Sequence, residues 1–238
     1  MCTVSFYKSS EYVIITSNRD ESINRVAATH PAPANVNGAR LFFPRDPQGG
    51  GSWFVVKENG DALVLLNGAA NRHEHRPPYR ESRGMILLNL SAAPDFHEEW
   101  NSHLNLANIE PFTIVAFVNN ELFQLRWNGD DKELSRMNVD QPHIWSSATL
   151  YAPEVILRRR KWFDEFMVNH QHPLVPEDLI SFHTQTQTND TENGVLINRN
   201  GILLTKNVTQ VVLEKEKFRL HHRDLVHNTQ TTLIENVL

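Results

Sequence analysis

The order of apolar and polar segments predicts an α+β fold, in which antiparallel sheets pack against helices. The first third of the chain is rich in short β-branched and aromatic runs, helical spacing appears twice in the middle, and the last third returns to short strands. This order favours a central pair of antiparallel sheets flanked by helices. At 238 residues the chain fits one large domain, and we expect a single domain over residues 1–238.

The N-terminus predicts a β-hairpin. Residues 3–7 and 12–17 are apolar runs, and the polar residues 8–11 between them are typical of a turn. Asn18-Arg19-Asp20-Glu21 follows directly at the end of the second strand. Because the turn lies midway between residue 2 and residues 17–18, the hairpin brings this tetrapeptide next to the start of the chain.

The remaining elements are predicted from turn residues and periodicity. Asn59-Gly60 between apolar runs indicates a tight hairpin, and Pro153 suits the first turn of a helix with a clear apolar stripe. Further strands are expected over 53–57, 61–67, 112–119, 121–127, 194–198, 202–206, 209–214 and 217–222. Residues 41–44 form another short apolar run, and residues 143–148 are expected to form a short strand or a loop. Helices are expected over 84–90, 95–103, 153–170 and 176–183.

Composition limits the function classes. The chain carries 23 Lys and Arg against 28 Asp and Glu, a net charge of −5, which argues against a general nucleic-acid binder. Its single cysteine cannot form an internal disulfide, and the N-terminus has no long apolar segment typical of a signal peptide. No apolar run approaches the roughly 20 residues that span a bilayer. We therefore expect a cytoplasmic protein, with its oligomeric state open.

Cys2, the only cysteine, directly follows Met1. Removal of Met1 would leave a thiol and a free α-amine on one residue. The amine has an ordinary pKa of about 8, so it can accept the thiol proton and activate the nucleophile. The alternative is that Cys2 is a small apolar residue at the start of a strand.

Arg19 and Asp20 are the candidate neighbours of Cys2. An arginine can stabilise a thiolate or bind a substrate carboxylate, and an aspartate can hold the amine. Adjacent side chains on an extended strand point to opposite faces, so only one of the two is expected to face Cys2. The alternative is a strand-end turn with a surface ion pair.

These segments resemble the NRDE family, the family of transport and Golgi organisation protein 2 and its bacterial relatives. The resemblance starts with Met1-Cys2 and Asn18-Arg19-Asp20-Glu21 and runs in order through most of the chain. Its weaker later segments are Gly50-Gly51-Ser52-Trp53, Leu66-Asn67, Ser146-Ser147-Ala148 and Thr205-Lys206-Asn207-Val208-Thr209.

The resemblance implies a fold and a set of site residues. The family is similar to N-terminal-nucleophile hydrolases of the penicillin V acylase and bile salt hydrolase type, which implies a four-layer αββα sandwich. By position, the resemblance implies that Cys2 is the nucleophile, that Arg19 and Asp20 flank it, and that Asn67 is an oxyanion donor. Asn18, Trp53, Ser147 and Lys206 are expected to line the substrate site.

The chain departs from the hydrolase pattern at three points. The arginine and aspartate are adjacent rather than separated, Ser147 stands where a second asparagine is expected, and Lys206 stands where an arginine is expected. A serine hydroxyl has a shorter reach than an amide, and a lysine lacks the bidentate fork of arginine.

Two other groups of residues invite functional interpretations. The local pairs among the 12 histidines lack zinc-hydrolase spacing, so we predict no metal site and no cofactor, and expect these histidines on the surface. The basic run 158–161 could bind phosphate but is more typical of a solvated helix face.

Three functions are compatible with these residues. The first is a hydrolase or acyltransferase that acts on an amide or thioester through a Cys2 acyl-enzyme. The second is a non-catalytic carrier of haem or of an acyl or lipid ligand on the same fold. The third is a structural adaptor with a decayed site. The first two imply a small-molecule ligand, and none implies a nucleic acid or a membrane-spanning segment.

Overall fold

The computed structural model describes residues 3–170 and 173–237. Strand-forming runs in the N-terminal and C-terminal thirds combine into one antiparallel sheet, in which β-branched and aromatic residues alternate between its two faces. In spatial order its strands are β10 (His143–Ser146), β1 (Thr3–Lys8), β2 (Val13–Ser22), β12 (Leu203–Leu213), β13 (Lys217–Asp224) and β14 (Thr229–Asn236), with the short β11 (Asn198–Arg199) paired to β12.

A second antiparallel sheet is formed by the strands between these two groups. Each of its strands pairs with the next in sequence, as short turns such as Asn59-Gly60 allow. They are β3 (Ala32–Val36), β4 (Ala39–Phe43), β5 (Phe54–Lys57), β6 (Ala62–Asn67), β7 (Phe112–Val118), β8 (Glu121–Trp127) and β9 (Lys132–Met137).

Helices cover the outer faces of both sheets. α1 (Arg83–Ala92) packs on β4–β6 of the second sheet, and the short α2 (Phe96–Glu98) follows it. α3 (Pro153–Asn169) packs on β10 of the first sheet, and α4 (Pro176–Gln185) packs on β2 and β12. The two sheets face each other through a large apolar core, and a smaller cluster joins the first sheet to α3 and α4. The predicted α+β, four-layer αββα sandwich is confirmed.

Several predicted elements differ in detail. β3, β9 and β14 were not predicted, because all three are edge strands with polar or proline-containing sequences. The two strands expected over 202–214 form the single strand β12, and the strand expected over 194–198 is mostly irregular, with only Asn198 in the short β11. The helix expected over 95–103 is split into α2 and a π-helical turn, Glu99–His103.

The predicted N-terminal hairpin is present, and its register positions the candidate site. β1 pairs antiparallel with β2, and Thr3 lies opposite Asn18. The first described residue therefore lies beside the Asn18–Glu21 segment. Among the described residues, no helix combines the length and apolar character needed to cross a bilayer.

Candidate functional site

Arg19 and Asp20 face different layers because β2 stays extended through both residues. The Arg19 side chain lies between the two sheets, where its guanidinium packs 4.7 Å from the centre of the Trp53 ring. The Asp20 carboxylate lies on the helix side and accepts a hydrogen bond of 2.6 Å from Tyr151. Both are almost completely buried, so neither belongs to a surface ion pair.

Arg19, Trp53 and Asn67 come together around a small cavity between the sheets, of about 110 Å³. Arg19 donates to Asp46 at 3.3 Å and to the side-chain oxygen of Asn207 at 3.4 Å. Trp53 is buried, and its indole N–H has no hydrogen-bond partner among the residues that the structure describes. Three predicted site residues therefore line one cavity.

Asp46 anchors the arginines of this cavity. Its carboxylate accepts from Arg25 at 2.8 Å as well as from Arg19. Burial alone would raise the pKa of Asp46, but the hydrogen bond from Arg25 and the charges of both arginines hold it below its ordinary value. Asp46 thus stays ionised at neutral pH and fixes Arg19 against Trp53.

The turn that carries Trp53 lies directly on the first turn of α1. A Cβ atom built on Gly51 would come within 2.2 Å of the backbone carbon of Gly84. Only glycine permits this approach. The side chain of Ser82, the N-cap of α1, adds a hydrogen bond of 2.8 Å to the carbonyl of Gly49. Together these contacts hold the turn before Trp53 against the start of α1.

Asn67 and Ser147 meet where β6 ends. The Ser147 hydroxyl donates to the main-chain carbonyl of Asn67 at 2.7 Å and contacts the hydroxyl of Thr149 at 2.8 Å. Asn67 is among the residues that line the small cavity. The hydroxyl proton of Ser147 is donated to the main-chain carbonyl of Asn67, so it is already engaged within the protein.

Asn18 lies apart from this cavity, on the helix side of β2. Its amide nitrogen donates to the carbonyls of His183 and Val195 at 3.0 and 2.8 Å. Its oxygen lies 2.9 Å from Nδ1 of His183, and Nε2 of that ring lies 2.8 Å from the hydroxyl of Ser5. Burial, and secondarily the charge of Arg159, lowers the pKa of His183 to about 3. Asn18 therefore joins β1, β2 and α4 through a neutral histidine.

Lys206 occupies an irregular position in β12. Thr205 pairs with Asp20, but Asn207 pairs with Arg19, so the register shifts at the residue between them. The Thr205 hydroxyl donates to Asp20 at 2.5 Å on the helix side. Asn207 contacts Arg19 between the sheets. Thr205 and Asn207 therefore face opposite layers, as their partners Asp20 and Arg19 do, and Lys206 is the extra residue between them.

The Lys206 ammonium is held by main-chain carbonyls rather than by the cavity. It donates to the carbonyl of Arg25 at 2.6 Å and reaches that of Ile23 at 3.4 Å. Burial and then the nearby charge of Arg19 lower its pKa. Lys206 is not among the residues that line the small cavity, although it binds the main chain of Arg25, which is.

A buried polar chain that was not predicted from the sequence extends from Arg19 between the sheets. Asn207 lies 3.5 Å from Nε2 of His222, whose Nδ1 lies 2.9 Å from the hydroxyl of Thr209. The expectation of a surface residue is wrong for His222, which is 1% exposed. Burial, and then the neighbouring His30, lowers its pKa to about 4. The alternation of strand residues 218, 220 and 222 could have revealed this buried position.

A larger cavity of about 820 Å³ opens beside the ends of β6 and β10. Its walls include the residues next to Asn67 and Ser147 in sequence, Leu66 and Ala148. Apolar side chains of α3 form part of the wall beside polar residues of β10. The charged residues of the wall are Arg72, Arg126, Arg160 and Asp164. This volume falls within the range of small-molecule sites.

Cys2 lies outside the described residues, so its predicted contacts with Arg19, Asp20 and Asn67 stay predictions. Within residues 3–170 and 173–237, no three His, Cys, Asp or Glu side chains are grouped so that they could hold a metal ion.

The layer order, two antiparallel sheets between helical layers, is that of the N-terminal-nucleophile hydrolase fold. The structure is similar to an alanine variant, at cysteine 2, of the conjugated bile acid hydrolase from Clostridium perfringens. The TM-score is 0.57 and the identity 12%, covering 99% of this chain and 96% of that one. A leucine variant of the same hydrolase gives a TM-score of 0.58 at 11% identity, with the same coverage. The N-acylethanolamine-hydrolyzing acid amidase ortholog of Caenorhabditis elegans gives 0.53 at 11% identity, covering 88% and 92%.

The particular family is shown by the sequence itself. The family model described as Transport and Golgi organisation 2 matches residues 1–229, and the chain belongs to this family. No curated protein matches the sequence significantly.

Proposed function

We propose that this protein is an N-terminal-cysteine hydrolase or acyltransferase that acts on a small-molecule amide or thioester. The Cys2 thiolate attacks the acyl carbon, the C–N or C–S bond breaks, and the leaving amine or thiol takes a proton. Water or a second acceptor then releases the acyl group from Cys2. The α-amine of Cys2 serves as the base, and the Asn67 amide donates to the developing oxyanion.

One observation carries this proposal: the pairing of Thr3 with Asn18 beside a cavity that contains Arg19, Trp53 and Asn67. Strand side chains alternate between faces. Val4 and Arg19 belong to the inter-sheet face, whereas Thr3 faces the helices. Continuation of this alternation supports an inter-sheet position for Cys2, on the side of Arg19 rather than Asp20.

The larger cavity supplies a site for the substrate's acyl group. It adjoins Asn67 through Leu66, and Ile156, Leu157 and Phe163 form an apolar part of its wall. The fold neighbours are named for hydrolysis of conjugated bile acids and N-acylethanolamines, both of which carry apolar groups. We infer an apolar acyl group of moderate size for this chain, and we expect the enzyme to work in the cytoplasm.

The test combines mass spectrometry with active-site variants. Intact mass should show loss of Met1 in the natively expressed protein. Incubation with a panel of acyl amides and acyl thioesters should leave a covalent acyl adduct on wild-type protein but none on Cys2→Ala. Retention of Met1, or full turnover by Cys2→Ala, would contradict the proposed mechanism.

A carrier of haem or of an acyl or lipid ligand is the second candidate. It is favoured by the size of the larger cavity and by Ser147, whose proton is engaged by the carbonyl of Asn67. Extraction of purified protein separates the two functions. A stoichiometric, non-covalent ligand that persists in Cys2→Ala supports the carrier, and an adduct that requires Cys2 supports the enzyme.

A further inference from the structure

Arg159 is a buried charge in a helix that otherwise presents its basic residues to solvent. It lies in the run 158–161, whose other members are exposed, yet its own side chain is 0% exposed. Val155, Arg159 and Phe163 are spaced by four residues and form the buried face of α3. The expectation of a wholly solvated basic face is therefore wrong at this position.

Each nitrogen of the Arg159 guanidinium donates a hydrogen bond, to β1 or to the loop before β11. Its Nη1 donates to the hydroxyl of Thr3 at 2.6 Å. Its Nε donates to the carbonyl of Asn193 at 3.1 Å, and its Nη2 donates to the carbonyl of Gly194. The plane packs 3.5 Å from the centre of the Tyr151 ring, whose hydroxyl donates to Asp20.

These contacts satisfy hydrogen-bond donors of Arg159, but none of them neutralises its positive charge. Among the described residues, no carboxylate lies within ion-pair distance of Arg159. Burial of a charge without a carboxylate partner is costly, and the hydrogen bonds and the Tyr151 ring offset part of that cost. These contacts leave a net positive charge close to the start of β1.

We propose that Arg159 is a positioning residue that holds the Thr3 end of β1 against α3 and adds a fixed positive charge beside Cys2. The proposal rests on the function proposed above. Thr3 is joined to Cys2 by one peptide bond, so covalent geometry keeps the α-carbon of Cys2 within about 10 Å of the guanidinium. A buried charge at this distance is little screened by salt.

The expected effect on the thiol follows from Coulomb's law. At an effective dielectric constant near 20, a unit charge at about 10 Å changes a pKa by about one unit. A positive charge favours the thiolate and the neutral amine, so it lowers both pKa values. The other charged and titratable groups around this end of β1 come from every neighbouring element. They are Arg19 and Asp20 on β2, Tyr151 before α3, His183 on α4, and Arg199 against the Tyr151 ring.

The test is the pH dependence of alkylation, because Cys2 is the only cysteine in the chain. The rate of reaction with iodoacetamide is measured from pH 5 to 10 for the wild type and for Arg159→Met, Arg159→Lys and Arg160→Met. We expect Arg159→Met to raise the midpoint by about one pH unit, which lowers the rate at pH 7 by up to about tenfold. Arg159→Lys keeps the charge and should retain the wild-type midpoint. Arg160→Met removes an exposed charge from the same helix and should shift it by less than a third as much.

The proposal is overturned if Arg159→Met keeps the wild-type midpoint, or if Arg159→Lys shifts it as far as Arg159→Met. Thr3→Val provides a second test should Arg159→Met not fold, since it removes only the hydrogen-bond acceptor. Hydrogen exchange over residues 1–8 should be at least several-fold faster in Thr3→Val, with exchange in β13 unchanged. Equal exchange would overturn the positioning role. None of these measurements requires turnover, so they are independent of the acyl-adduct test of the enzymatic function.

Discussion

Acidification from pH 7.5 to 5 is expected to destabilise the fold through its buried histidines. His183 and His222 have folded-state pKa values of about 3 and about 4, lowered mainly by burial. Both lie below the ordinary value of about 6.5 expected in the unfolded chain. At pH values between the folded-state and unfolded-state pKa of each histidine, the unfolded state binds more protons than the folded state. Stability is therefore complete above pH 6.5 and declines as pH falls.

The loss of unfolding free energy depends on how far the pH of the measurement lies below the unfolded-state pKa of each histidine. At pH 5 that distance is about 1.5 units, so each histidine costs about 2 kcal/mol, and the two together cost about 4 kcal/mol. Asp46 does not contribute in this window, because its lowered folded-state pKa affects stability only below about pH 4. Such a loss is a large part of the stability of a typical domain.

Urea unfolding at several pH values between 7.5 and 5 measures this effect. His183→Gln cannot titrate, so its free energy of unfolding should decline by about half as much as that of the wild type. Phe182→Leu, a core change in the same layer, should lower stability about equally at every pH. Parallel declines for the wild type and His183→Gln would refute the assignment of the pH dependence to the buried ring.

Three further outcomes are expected. Gly51→Ala should lower the free energy of unfolding by about 3 kcal/mol or more, because its Cβ would collide with the backbone of α1. Gly49→Ala should lower it far less, because the new Cβ meets mainly a flexible arginine side chain. Thermal unfolding compares the two variants. Asp46→Asn should lower the free energy of unfolding by about 1–3 kcal/mol, because it weakens the ion pairs with two arginines. Asp140→Asn is the control: it loses one exposed ion pair and should change stability by less than about 1 kcal/mol in the same assay. Asn67→Ala should lower kcat about 10²–10³-fold with little change in KM for the best substrate of the panel, and an equal rise in KM with kcat intact would argue for a binding role.

The layered fold was accessible from sequence because its strongest signals are local. The N-terminal hairpin depends on two apolar runs and a polar turn, and α3 depends on one proline and one apolar stripe. Edge strands such as β9 and β14 were missed because only one side of each pairs with a neighbour. Their exposed faces then carry polar residues, as a loop does.

Only part of the candidate site could be predicted from the sequence, and the reason differs from the one that applies to the edge strands. The chain order identified Arg19, Trp53 and Asn67, which the fold brings together at one cavity. It could not place Asn18 under α4, nor show that Arg159 alone turns inward from a basic run. Those outcomes depend on which face of each element meets the neighbouring layer. Side-chain type alone does not determine that choice for polar residues.

The irregularity in β12 makes one residue of that strand extra to the pairing. Thr205 pairs with Asp20 and Asn207 pairs with Arg19, so Lys206 is the added residue between two neighbouring pairs. Deletion of Lys206 would make Thr205 and Asn207 adjacent, and adjacent strand residues also face opposite layers. Asp20 and Arg19 would then keep their partners from β12, whereas the ammonium that binds the main-chain carbonyl of Arg25 would be lost.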